Sequence, residues 1–240
     1  MTRSFRCSRC RKLGGWSDSL PASLHMYGEN IQFWDRIAKR YDWITLKLTK
    51  DYSALIQRIV GEINGAENVV EVATGSGLIA MELARKVKLI KAVDISSEMI
   101  ELAKNKASEN RIENIHFSVQ SAYTLDFEED TFDVAICSNA LHCMETPKQA
   151  LSEIRRVLKP KGILIAPTFC HGVSWRSRLV SGLMSLTGFK SYHRFTIEEF
   201  FGLIVSSGFA IVKKDISKDF IPLAYVVAKP TPYVPLVEQD

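Results

Sequence analysis

Apolar positions in this chain switch between two periods. From Ile31 onward, Ile31, Trp34 and Ile37 share one helical face, and Leu55, Ile56, Ile59, Val60 and Ile63 share another, so two helices precede the first strand. Asn64-Gly65 is the stop signal of the second, glycine taking the left-handed position after the last turn. Short β-rich runs follow, VVEVA, LIKAVD, NIHFSVQ, FDVAICS and GILIAP, each separated from the next by a helical or turn stretch. Leu78, Leu83, Ala84 and Val87 form the stripe of the first crossover helix. Ser96 or Ser97 caps the next, whose buried face is Met99, Ile100, Ala103 and Ala107. Thr146 to Gln149 and Thr196 to Glu199 both read as capping boxes, and Pro160 with Gly162 ends the helix of Leu151, Ile154, Val157 and Leu158. FAIVKK and IPLAYVVA pair as a terminal antiparallel hairpin.

Strands that alternate with helices imply right-handed crossovers and a mostly parallel, doubly wound sheet covered on both faces. With the hairpin, the expectation is seven strands in one α/β domain over residues 26–240, with a helical cover at 27–66. Residues 1–25 lack either period. They read as an extension, left by a cloning junction or a mis-set start at Met26, or else genuinely flexible.

The stretch that carries chemistry is Val69 to Ala80, VVEVATGSGLIA. An apolar strand meets a glycine turn and passes into a helix, which brings backbone N–H groups to a ligand. Gly75 and Gly77 allow the bend and leave bare backbone, and Glu71 lies late in the strand. Further on, Asp94 ends the second strand, where a carboxylate can hydrogen-bond a ribose diol. Asn139, Leu141 and His142 follow the fourth strand, at the edge where open α/β sheets bind ligands.

EVATGSG followed by VDISSEMIELAK resembles the first two motifs of the class I S-adenosylmethionine-dependent methyltransferases, especially the ubiquinone and menaquinone branch. The resemblance runs from about Phe33 to Lys229, through SAYTLDFEEDTFDVAICSNALHCM and RVLKPKGILIA, and implies a Rossmann-like fold. It implies S-adenosylmethionine as cofactor, with Glu71, Ala73, Gly75 and Gly77 at the methionine and sugar, and Asp94 on the ribose hydroxyls. Ile95 and Met99 would pack the adenine, Ser121 and Ala122 would meet its edge, and Asn139 would complete the site. Two departures stand out: Ala73 replaces a glycine common in the family, and Ser121 replaces an acid. RYDWITLKL resembles the segment that family members fold over the cofactor, so Tyr41 is a candidate contact, or else a packing aromatic.

His142 has two readings, a base that takes a proton from an acidic nucleophile or a structural histidine. No metal is needed, because a sulfonium methyl is already activated. Phe169 to Phe195 loses period and is expected to form a lid at 169–195 over a small, lipophilic or quinone-like acceptor, with His171, Trp175, Leu183, Met184 and Tyr192 as substrate contacts. The competing reading of that segment is a helix that caps the core.

Composition narrows the field. A net charge of +4 with no long basic run does not indicate nucleic acid. No apolar stretch approaches the ~20 residues of a membrane span, so a cytoplasmic protein is expected, with peripheral membrane contact through the lid. Five cysteines make an odd set without secretory context. Cys7 and Cys10 supply half a zinc site with no second pair, while Cys137, Cys143 and Cys170 leave a thiol-dependent reaction as a sharper alternative to burial as small apolar side chains. Two other functions compete with methyl transfer: a nicotinamide-dependent oxidoreductase using the same glycine turn, and a non-catalytic nucleotide-binding module. Glu71 before the glycines, the terminal hairpin and the lack of a second substrate domain disfavour the oxidoreductase.

Overall fold

The computed structural model describes residues 28–48, 52–63, 65–173, 191–217 and 221–232, with the side chains of 28–30 and 44–48 left aside. Helices α1 (Gly28–Leu48) and α2 (Tyr52–Glu62) precede the sheet, as the periodicity predicts. Then come β1 (Asn68–Val72), α3 (Leu78–Leu83), β2 (Leu89–Asp94), α4 (Ser97–Glu109), β3 (Ile115–Val119) and β4 (Phe132–Ile136). A 3-10 turn (Leu141–Cys143) leads to α5 (Pro147–Val157), β5 (Leu158–Ile165), β6 (Thr168–Phe169), α6 (Ile197–Ser206), β7 (Phe209–Ile216) and β8 (Leu223–Pro230).

The strand order is β3-β2-β1-β4-β5-β8-β6, with β7 also paired to β8. Strands β1 to β5 run parallel, and β8 is antiparallel to β5, β6 and β7. The seven expected strands are present; the eighth is the two-residue β6, too short to leave a periodic signal. Chain order reverses between β1 and β4, so their carboxyl ends frame the crevice where such sheets bind ligands.

Side-chain alternation along the strands divides the core into two layers. Val70, Val72, Ala135 and Cys137 pack with Leu151, Ile154 and Phe200 of α5 and α6. Val69, Ile90, Ala92 and Ile136 pack with Ile59, Leu83 and Ile100 on the opposite face.

Two local signals fail and the others hold. Ser96 Oγ accepts the Met99 N–H at 3.1 Å and caps α4, Thr196 and Glu199 form the reciprocal capping box of α6, and Gly65 has φ 81°. Thr146 does not cap α5: its hydroxyl donates to Gln149 Oε1 at 3.3 Å instead. The Thr146 backbone N–H, which a capping box would give to Gln149, donates to Tyr123 Oη at 3.4 Å, so a tertiary bond replaces the reciprocal one. Nor do Pro160 and Gly162 end α5; the helix stops at Val157 and both lie within β5. Among the described residues, no helix is long and apolar enough to cross a membrane.

Candidate active site

The loop after β1 is held by its own backbone and by a neighbouring carboxylate. Thr74 N–H donates to the Val93 carbonyl at 3.0 Å, and Gly77 N–H to the Thr74 carbonyl at 3.1 Å. Gly75 N–H donates to Asp94 Oδ2 at 2.8 Å, while Ser96 N–H donates to Asp94 Oδ1 at 2.9 Å. Asp94 therefore ties the loops after β1 and β2 together, yet an ionised carboxylate has about four lone-pair sites and keeps capacity for ligand hydroxyls. Burial raises the pKa of Asp94 above its ordinary value, with the bonds from Ser96 and Gly75 working the other way.

Three positions in these loops have left-handed backbone that a side chain resists: Ala73 at φ 58°, Gly75 at φ 56° and Gly77 at φ 78°. Ala73 thus adopts the conformation a glycine would take there, at a cost of order 1 kcal/mol. A Cβ on Gly77 would stand 3.1 Å from both Ala103 Cβ and the Phe117 ring, so this glycine lets α3 approach α4 and β3.

A cleft open to solvent lies at the carboxyl ends of β1 to β4. Of the residues expected at the cofactor, Ala73, Gly75, Asp94 and Ile95 contribute to its wall, as do Met99, Ser121, Ala122 and Asn139. Glu71 and Gly77 are not part of that wall. Glu71 shares the parity of Val69, so it turns under α3 rather than into the crevice. It accepts the Thr74 hydroxyl at 2.7 Å and the Ala80 backbone N–H, and burial lifts its pKa to about 7.

Ser121 Oγ accepts the Tyr123 N–H at 3.2 Å, closing a small turn whose hydroxyl hydrogen can still be donated. Ser138 Oγ and Asn139 Oδ1 are buried without a hydrogen-bond partner among the described residues, and both belong to the wall. Orphaned acceptors beside an apolar surface of Ile95, Met99 and Ala122 fit a nucleoside carrying an amino acid, so the residues present suit the expected cofactor.

Helix α1 crosses the opening. Ile31, Trp34 and Tyr41 add to the wall, with the Trp34 and Tyr41 rings edge to face at 6.1 Å. The far end is built by Cys143, Met144, Glu145 and Tyr192. Of these groups only Tyr41 and Tyr192 were anticipated as contacts; Trp34 could have been found from its helical face shared with Ile31 and Tyr41, whereas Met144 and Glu145 give no local signal.

His142 lies outside the cleft wall. It is buried on the 3-10 turn with its ring 5.5 Å from that of His171, and burial, with His171 and His193 nearby, pushes its pKa down to about 3. His171 is likewise buried and not in the wall. Trp175, Leu183 and Met184 lie outside the described residues, as do Cys7, Cys10 and residues 1–25. Burial pushes the Cys137 thiol up to about 12 and that of Cys170 to about 11, and raises Cys143 as well. Protonated thiols are poor nucleophiles, which removes the ground for a thiol-dependent reaction.

Residues 63–199 match a family described as "Methyltransferase domain". A ubiquinone/menaquinone biosynthesis C-methyltransferase, UbiE of Geotalea daltonii, is 33% identical over 150 residues, 59% of this chain and 64% of that protein. The uncharacterized methyltransferase YcgJ of Bacillus subtilis is 33% identical over 101 residues, 42% of this chain and 40% of that one. The match thus spans less than two thirds of either relative. In structure, YcgJ superposes with a TM-score of 0.65 at 17% identity over 76% of this chain and 100% of its own. A SAM-dependent methyltransferase from Aquifex aeolicus gives 0.62 at 17% identity over 80% and 97%.

Proposed function

The chain belongs to the class I S-adenosylmethionine-dependent methyltransferases, and we propose that it transfers a methyl group from S-adenosylmethionine to a small, largely apolar acceptor. The observation that carries this reading is the Gly75 to Asp94 arrangement at the switch point, in the wall of a cleft whose lining combines apolar side chains with buried polar atoms. When bound, the cofactor supplies a methyl on a sulfonium whose leaving group is a neutral thioether. Asp94 would hold the ribose, Ile95 and Met99 the base, Ser121 and Ala122 its polar edge, and Ser138 with Asn139 the amino-acid end. The remaining task is to align the acceptor and exclude water, which is work for packing rather than for an ionisable side chain.

The acceptor end is lined by Cys143, Met144 and Tyr192 together with Glu145, and its mostly apolar side chains support an apolar substrate. His142, neutral and set back from the wall, is a positioning element for Cys143 and Met144 rather than a base. An acceptor that needs no strong base, such as an electron-rich ring carbon or a readily ionised hydroxyl, fits these surroundings, and the likeness to UbiE favours a quinol-like ring. His171 and Tyr192, with Trp175, Leu183 and Met184, remain candidates for shaping that end.

The test is transfer of a tritiated methyl from S-adenosylmethionine to each member of a panel of quinols, phenols and polar amines, the products being separated by chromatography and counted. Labelling of lipophilic hydroxyaromatics above the polar amines is expected. Labelling confined to polar amines would overturn the acceptor assignment.

A further inference from the structure

Helix α1 bonds to both of the loops that build the nucleoside end of the cleft. Asp35 Oδ1 accepts the hydroxyl of Ser96, the residue whose Oγ also caps α4. Asp42 Oδ1 accepts the hydroxyl of Ser76, between the two glycines of the first loop, and Asp42 Oδ2 pairs with Lys106 Nζ of α4 at 2.6 Å. Asp35 and Asp42 are two turns apart and so share a face, while Ile31, Trp34 and Tyr41 lie on the adjoining one. One stripe of α1 is thereby fastened to the ligand loops and the next stripe forms the roof. A Cβ on Gly75 would stand 3.3 Å from Tyr41 Cε1, so the tyrosine ring already covers the bare backbone of the turn.

We propose that Asp35 and Asp42 are positioning residues that latch α1 across the cleft through Ser96, Ser76 and Lys106, and that opening of this latch sets the rate at which the cofactor enters and leaves. The inference rests on the cofactor reading above. Gly75, Tyr41 and Trp34 share one wall of the cleft, so a nucleoside entering or leaving it moves along α1. The bonds that resist lifting are not ordinary surface pairs: the Lys106 and Asp42 side chains are 18% and 31% exposed, and the other two contacts join a carboxylate to a hydroxyl that is itself buried. Such charge-assisted bonds are roughly twice as strong as neutral ones and are weakly screened. Because Asp94 links Gly75 to Ser96, the latch closes on two loops that already move together.

The experiment is stopped-flow exchange of S-adenosylhomocysteine, followed by tryptophan fluorescence, in the full chain and in Asp42→Ala, Ser76→Ala, Asp35→Ala and Asp42→Asn. Loss of one latch bond is expected to raise both association and dissociation rates by about ten-fold or more, with a smaller change in Kd. Asp42→Asn keeps an acceptor for Ser76 but loses the charge facing Lys106, and should fall between wild type and Asp42→Ala. Lys106→Met, which leaves α1 unaltered, guards against misfolded α1 variants and should accelerate exchange in the same sense. Amide exchange over residues 31–43 should quicken in every variant without ligand. Binding with wild-type rates in variants whose melting temperature alone has dropped would overturn the latch and leave the cofactor reading standing. Absence of S-adenosylhomocysteine binding by the wild type would overturn both.

Discussion

Replacing Glu71 by glutamine should remove a pH dependence of stability that the fold imposes on itself. Glu71 is 2% exposed, and its pKa rises from 4.5 to about 7 because burial disfavours the charged form more than Thr74 and Ala80 can offset. In the unfolded chain the carboxyl has lost its proton by about pH 5; in the folded chain it keeps the proton until about pH 7. Between these limits the native state binds more protons, so stability falls as pH rises and is level again above pH 7. Each pH unit of separation is 1.36 kcal/mol, which makes the full swing about 3 kcal/mol, most of it between pH 5 and pH 8. Glutamine can keep the network, since the Thr74 hydroxyl both donates and accepts and can turn to meet the amide. Urea denaturation of both proteins at pH 5 and pH 8 is the assay. Glu71→Gln should gain about 2 to 3 kcal/mol on wild type between the two conditions. A difference between the proteins that does not change with pH would refute burial as the cause of the raised pKa.

Two other outcomes follow from the same geometry. Gly77→Ala forces a side chain into left-handed backbone against Ala103 and Phe117, and should cost about 2 to 4 kcal/mol by thermal or urea unfolding; unchanged stability would mean that α3 does not need this close approach. His142→Asn should lower stability but leave the pH profile of kcat/KM unchanged between pH 5 and pH 8, because a histidine whose pKa is held near 3 has no charge to lose there; disappearance of an inflection near neutral pH would restore it as a base.

The fold was legible because its signals are local and repeated. The period of β1 to β5, the stop at Gly65 and the caps at Ser96 and Thr196 each depend on neighbours in sequence. The gathering of Ala73, Gly75, Asp94 and Ser121 on one cleft wall was legible for the same reason: each ends or follows a strand, and the sheet brings strand ends to one edge. Glu71 shows the limit of that logic. Its place late in β1 was clear, but the pleat decides which face it takes, and its partner Thr74 lies in the loop that follows. Thr146 shows another limit, since the backbone N–H its capping box would satisfy is taken by Tyr123, distant in sequence. The two-turn spacing of Asp35 and Asp42 is visible in the sequence, but their partners Ser96, Ser76 and Lys106 come from three later segments and could only be paired by the fold.

The proposed hold of Asp94 on the cofactor is open to direct test by isothermal titration. S-adenosylhomocysteine should bind the wild-type chain and NADH should not. Asp94→Ala, shown to be folded by circular dichroism, should bind S-adenosylhomocysteine roughly ten- to a hundred-fold more weakly, as expected for loss of hydrogen bonds to a charged group. Equal affinity in the folded variant, or tighter binding of NADH than of S-adenosylhomocysteine by the wild type, would contradict it.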